Sequence, residues 1–142
     1  MEKAYLDLLR KVMAEGVDRD DRTGTGTRAL FGQTMRFSMK DGFPALTAER
    51  LAWKAVKSEL LWFLEGTGDE NRLKEILGSD KTIWSANADA PYWVDKAKFP
   101  GDLGRVYGVQ WRHWKRPDGT EVDQIAEAIR LIKEDPTSRR II

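Results

Sequence analysis

Between Trp53 and Gly66 the residues Trp53, Val56, Leu60, Phe63 and Leu64 recur at helical spacing and stop at the glycine. A helix with so apolar a stripe persists only where other parts of the chain cover it, so the remaining residues have to supply a core. A chain of 142 residues is long enough for one such core and too short for two comfortable ones. The same spacing predicts a helix on Tyr5, Leu8, Leu9, Val12 and Met13 closed by Gly16, and a short helix in "DENRLKEILG". A last helix on Val122, Ile125, Ile129 and Ile132 is stopped by Asp135-Pro136. Phe31, Gln33, Met35, Phe37 and Met39 alternate with Leu30, Gly32, Thr34, Arg36 and Ser38, which predicts a strand closed by "DGFP". The expected class is α+β, a mixed sheet with flanking helices, with residues 1–142 forming a single domain.

Charge excludes several functions. The formal net charge is +1 and the basic residues do not cluster, which argues against a nucleic-acid binder. No apolar run is long enough for a membrane span or a signal peptide, so a cytoplasmic protein without a membrane partner is expected. There is no cysteine, which removes disulfides, thiolate metal sites and thiolate nucleophiles from what these residues can do; no metal is expected.

Four places carry potential chemistry. "DRTGTGT" sets two glycines and three threonine hydroxyls beside Arg22, a composition suited either to an anion or to an ordinary glycine turn. Glu59 lies on the apolar stripe with no cation at helical spacing. It is therefore either a desolvated acid–base group or a carboxylate at the stripe's edge. In the irregular, aromatic 82–114 stretch, Trp84, Tyr107, Trp111 and Trp114 suit the walls of a heterocycle pocket or a core. Asn87 and Gln110 would serve as polar edge contacts, while His113 has no partner motif. Arg139 and Arg140 precede Ile141-Ile142 at what reads as the start of a strand. They form a surface pair or, if that segment is buried, a site for a phosphate.

In this order, "DRTGTGT", "FGQTMRFSM", "DGFPALT", "ELLWFLEG", "TIW", "GDLGRVYGVQWR", "VDQI" and "DPTSRRII" resemble the N-terminal part of thymidylate synthase, and the resemblance spans essentially the whole chain. It implies a six-stranded sheet whose face forms a homodimer contact, with active sites shared between subunits. It implies methylation of deoxyuridine monophosphate (dUMP) to thymidylate with 5,10-methylenetetrahydrofolate as cosubstrate. In that chemistry a cysteine thiolate adds to C6 of the pyrimidine and makes C5 nucleophilic toward the folate's methylene group. Carried onto this sequence, Arg22 holds the nucleotide phosphate, and Arg139 and Arg140 reach the phosphate held by the other subunit. Glu59 organises water and relays protons. Ile83, Trp84 and Asn87 line the folate side, with Trp84 shielding the exocyclic intermediate. Tyr107 lies beside the nucleophile.

The sequence departs from the family pattern in places. Ala48-Glu49-Arg50 replaces the usual threonine-lysine-arginine, Ala52 replaces a larger ring, Ser85 an aspartate and Arg105 a proline. These leave the phosphate side intact and alter the folate side. The family's cysteine belongs to a proline-cysteine-histidine block downstream of "RRII", so these residues are expected to be inactive alone, as the N-terminal portion of the enzyme. A deoxypyrimidine monophosphate hydroxymethylase, in which water captures the methylene, is the alternative within this chemistry. A non-catalytic fragment that pairs with another chain is the alternative of another class.

Overall fold

The computed structural model describes residues 2–141, and its chain divides between Leu51 and Ala52 into two compact units. It is helix-rich with two small antiparallel sheets of two strands each, an α+β composition. No described helix is long and apolar enough to cross a membrane.

The first unit begins with α1 (Glu2–Glu15), where the helical spacing placed it. Its last turn closes as the Gly16 N–H donates to the Val12 carbonyl at 2.9 Å. A hairpin follows, β1 (Val17–Arg19) with β2 (Thr27–Ala29), in which Asp18 lies opposite Arg28. Arg28 grips both Asp18 oxygens, at 2.6 and 2.8 Å, and donates to the Met13 carbonyl at 3.0 Å, which ties the hairpin to the end of α1. A Cβ on Gly16 would lie 2.6 Å from the Arg28 side chain, so this close crossing needs glycine. No described residue of this unit is buried.

The alternating segment is not a strand. Phe31 and Gly32 form a turn, residues 33–38 follow as irregular backbone without ladder partners, and a 3-10 turn occupies Met39–Asp41. Alternation records which side chains face one way, but a strand also needs a neighbour for its N–H and C=O groups. Among the described residues β1 and β2 pair only with each other and no strand pairs with this segment, and Phe31 and Met39 remain exposed.

The second unit has a core. Helix α2 (Trp53–Glu65) ends on Gly66, whose φ of 75° is the left-handed cap that glycine adopts without cost. Helix α3 (Glu70–Leu77) starts at Asp69, which accepts the Asn71 N–H at 2.9 Å, and ends on the left-handed Gly78. The short helices α4 (Ser85–Ala88), α5 (Pro91–Val94) and α6 (Tyr107–Arg112) order the aromatic stretch. A hairpin, β3 (Trp114–Lys115) with β4 (Glu121–Val122), turns through "RPDGT", and α7 (Gln124–Glu134) follows under an Asp123 cap. Trp62, Leu73, Ala88 and Leu103 form the core, flanked by Phe63, Ile76, Trp84 and Val106.

Which face of α2 turns inward differs from the expected stripe. Trp62 is fully buried and Ser58 nearly so, while Trp53, Val56, Leu60 and Leu64 are 40–50% exposed. From Leu60 to Leu64 the helix is apolar on every side, so spacing cannot choose a face. Tertiary contact with α3 and α6 does, because the Trp62 indole also finds an acceptor there, the Asp69 carbonyl at 2.9 Å. The expected buried strand start at Arg139 and Arg140 is likewise not found. Both residues are exposed in a turn, where the Arg140 N–H reaches the Ser138 hydroxyl at 3.3 Å, and no ladder partner lies beside them among the described residues. Ile142 lies outside the described residues.

Helix α6 lies against α2 at Gly108, where a Cβ would sit 2.7 Å from the Phe63 carbonyl oxygen and 2.8 Å from its Cα. Both obstacles are backbone and cannot step aside. Gly108→Ala is therefore expected to cost roughly 1–3 kcal/mol, read as a lowered urea midpoint with an unchanged slope.

Candidate active site

Glu59 projects from α2 one turn before Phe63 and is half-buried. Its Oε1 accepts the indole N–H of Trp84 at 2.6 Å, so the carboxylate has an aromatic donor where helical spacing supplied no cation. Trp84 precedes α4 and stands within a ring cluster: its centroid is 5.9 Å from Trp62, 6.5 Å from Phe63 and 5.9 Å from Tyr107. Phe63 is the hub, with Tyr107 at 5.4 Å and Trp111 at 5.5 Å in edge-on contact. Three separate elements thus bring Glu59, Trp84 and Tyr107 into one cluster, with Tyr107 reaching the surface at 58% exposure. Ile83, just before Trp84, and Asn87, one helical turn after it, are exposed.

Not every aromatic candidate joins. Trp114 stands on β3 under the Arg105 guanidinium, 5.3 Å from its ring centre, and the Gln110 side-chain oxygen is occupied by Arg105 at 2.9 Å. The residue replacing the family's proline therefore takes up two of the expected pocket groups. His113 faces Glu121 across 3.0 Å. A cavity of about 1070 Å³ lies elsewhere in this unit, with Trp93, Lys98, Phe99, Asp102 and Arg105 among its walls. Neither Glu59, Trp84 nor Tyr107 lines it.

Sequence reasoning passed over one residue altogether. Glu70, in the first turn of α3, is 1% exposed. It accepts from the Thr82 hydroxyl at 2.7 Å and from the Ser85 hydroxyl, and Lys74 lies 3.0 Å away. Burial alone would raise its pKa, but donation from Ser85, Thr82 and Lys74 outweighs it and holds the carboxyl below the ordinary range. Its sequence signal was an i,i+4 Glu–Lys pair, which on most helices is a solvated surface pair.

In the first unit the loop around Arg22 folds about its own anion. The Asp21 carboxylate collects the Thr23 hydroxyl at 2.7 Å and the N–H groups of Thr23, Thr25 and Gly26 at 3.1–3.2 Å. Gly24 and Gly26 make this possible with φ of 76° and 78°. The loop's N–H groups are therefore spent internally, and Arg22 is left exposed as its cation. Arg139 and Arg140, in the second unit, are exposed as well.

A family model described as thymidylate synthase matches residues 3–142. The chain belongs to the thymidylate synthase family. That family comprises methyltransferases of thymidylate synthesis that act on dUMP with methylenetetrahydrofolate as cosubstrate, typically as dimers. The match runs through both compact units, so Arg22, Glu59, Trp84, Tyr107 and the arginine pair all lie in the family region.

The Asp21 loop gives a pH test. The Thr23 hydroxyl and the N–H groups of Gly26, Thr23 and Thr25 hold this carboxyl below its ordinary 3.8. A depressed pKa stabilises the loop fully above the ordinary value and loses that stabilisation as pH falls through the lower folded value. The amide resonances of Thr23, Thr25 and Gly26 are thus expected to move together with a midpoint below pH 3.8. Movement centred at or above 3.8 would contradict the arrangement.

Proposed function

We propose that this chain serves the folate-dependent methylation of dUMP to thymidylate, with Glu59 and Tyr107 on the pyrimidine side and Trp84 on the folate side, shielding the exocyclic intermediate. The observation that carries this reading is the 2.6 Å bond from the Trp84 indole to Glu59. It joins a carboxylate able to organise water around a pyrimidine carbonyl to the ring that would keep bulk water from the exocyclic carbon. Ile83 and Asn87, exposed on either side of Trp84, suit a flat folate ring that needs one apolar face and one amide contact. Tyr107 is edge-on to both Phe63 and Trp84 and is 58% exposed.

Arg22 would take the nucleotide phosphate. In a homodimer, Arg139 and Arg140 would reach the phosphate held by the partner subunit, and their exposure leaves both guanidinium groups available for such a contact. The 142 residues contain no cysteine, so the thiolate that attacks C6 must come from a segment outside them, and alone they are inactive. The hydroxymethylase alternative needs water at the exocyclic carbon, which an indole pinned on Glu59 disfavours. The exposed stripe of Val56, Leu60 and Leu64 on α2 supports the other alternative, a fragment that works by pairing.

Mixing the chain with a separately expressed C-terminal segment of a family member, carrying the proline-cysteine-histidine block, is expected to yield dihydrofolate and thymidylate from dUMP. Glu59→Gln should lower that rate by roughly 10²-fold or more. Turnover by the 142 residues alone would end the cysteine argument, and hydroxymethylated product would favour the alternative chemistry. A stable heteromer without turnover would favour the pairing module.

A further inference from the structure

We propose that Glu70 is a positioning residue: a buried carboxylate on α3 that gathers the hydroxyls of Thr82 and Ser85 and so fixes the indole of Trp84 on Glu59. The inference rests on the reading of Glu59 and Trp84 as site residues, and adds what holds them together.

Thr82 and Ser85 bracket Ile83-Trp84, and each hydroxyl is used twice. The Thr82 hydroxyl donates to Glu70 Oε1 at 2.7 Å and accepts the Trp84 backbone N–H at 3.0 Å. The Ser85 hydroxyl donates to the same oxygen and accepts the Thr82 backbone N–H at 3.0 Å. A hydroxyl has one proton to give, so the acceptor-only carboxylate decides which way both point and leaves their lone pairs for the turn's backbone. The other carboxylate oxygen faces Lys74 at 3.0 Å, which completes the partners of a charge that is 1% exposed.

The turn held in this way is the one that aims Trp84 at Glu59. The start of α3 is anchored independently: the Glu70 N–H donates to the Gly101 carbonyl at 2.9 Å, and Asp69 bridges Asp102. Loss of the carboxylate should therefore release the turn while leaving α3 in place. The arrangement also accounts for Ser85, where the family pattern has aspartate. A carboxylate at position 85 would meet the buried Glu70 carboxylate, whereas the serine hydroxyl donates to it.

Nitrogen-15 spectra of the tryptophan indoles provide the test, with Trp84 identified by Trp84→Phe and Trp93, bonded to the Asp102 carbonyl at 2.6 Å, as the internal control. The displacement of the Trp84 indole resonance caused by Glu59→Ala is the signature of their contact. In a Glu70→Leu background that displacement is expected to shrink severalfold, with the Trp93 resonance unmoved. Glu70→Gln, whose carbonyl can still accept both hydroxyls, should restore it. An undiminished displacement in Glu70→Leu, or Trp93 moving as far as Trp84 in both variants, would overturn the proposal. If leucine at position 70 unfolds the chain, the Thr82→Val, Ser85→Ala double variant decides: it retains the carboxylate and should uncouple Trp84 from Glu59 alone, and an unchanged coupling would be fatal. Failure of the enzymatic reading appears separately, as absent turnover in the complemented chain with this coupling intact.

Discussion

The burial of Trp62 is the interaction on which the second unit depends. The side chain is fully enclosed, its N–H is satisfied by the Asp69 carbonyl, and its ring meets Phe63 and Trp84. Enclosing an indole removes roughly 150–250 Å² from water, worth about 4–6 kcal/mol at 25 cal/mol per Å². That single side chain links α2 to the beginning of α3 through its nitrogen and to the 82–85 turn through its ring. Glu59 and Phe63, its neighbours on α2, take their places around Trp84 as a consequence.

Around this apolar centre two buried carboxylates are each held by several donors. Glu70 has two hydroxyls and an ammonium, and Asp102 accepts the N–H groups of Lys98 and Gly104 at 2.9 and 2.8 Å. Buried acceptors with several donors are what give the short helices of the aromatic stretch a single arrangement, since helices of four to six residues do not hold themselves. The first unit works differently. Without a buried residue it relies on local devices, the Asp21 loop and the Arg28 grip on Asp18 and Met13, each exposed to competition from water.

Much of the helical content was legible because its signals are local. Gly66 ends α2 and Asp135 ends α7 where spacing and stop residues placed them. Glu59 could be singled out because a lone carboxylate on an apolar stripe is unusual in any context. Its donor could not, since Trp84 lies 25 residues away and no spacing rule connects them. Glu70 carries no such signal: its helical neighbour Lys74 makes an i,i+4 pair of the kind that usually lies in solvent. The alternating 30–39 segment is not a strand because a strand is a property of two segments, and the arginine pair takes the surface alternative for the same reason.

By itself, the sequence determined the family, the four longer helices and most of the residues able to do chemistry, because these follow from side-chain type and from spacing within a few residues. Only the tertiary structure decided which face of α2 is enclosed, which aromatics gather around Phe63, and which carboxylate is buried. Those outcomes depend on distant segments competing to satisfy the same apolar area and the same hydrogen-bond donors. In that competition the Trp62 indole is enclosed while Leu60 and Leu64 remain at the surface.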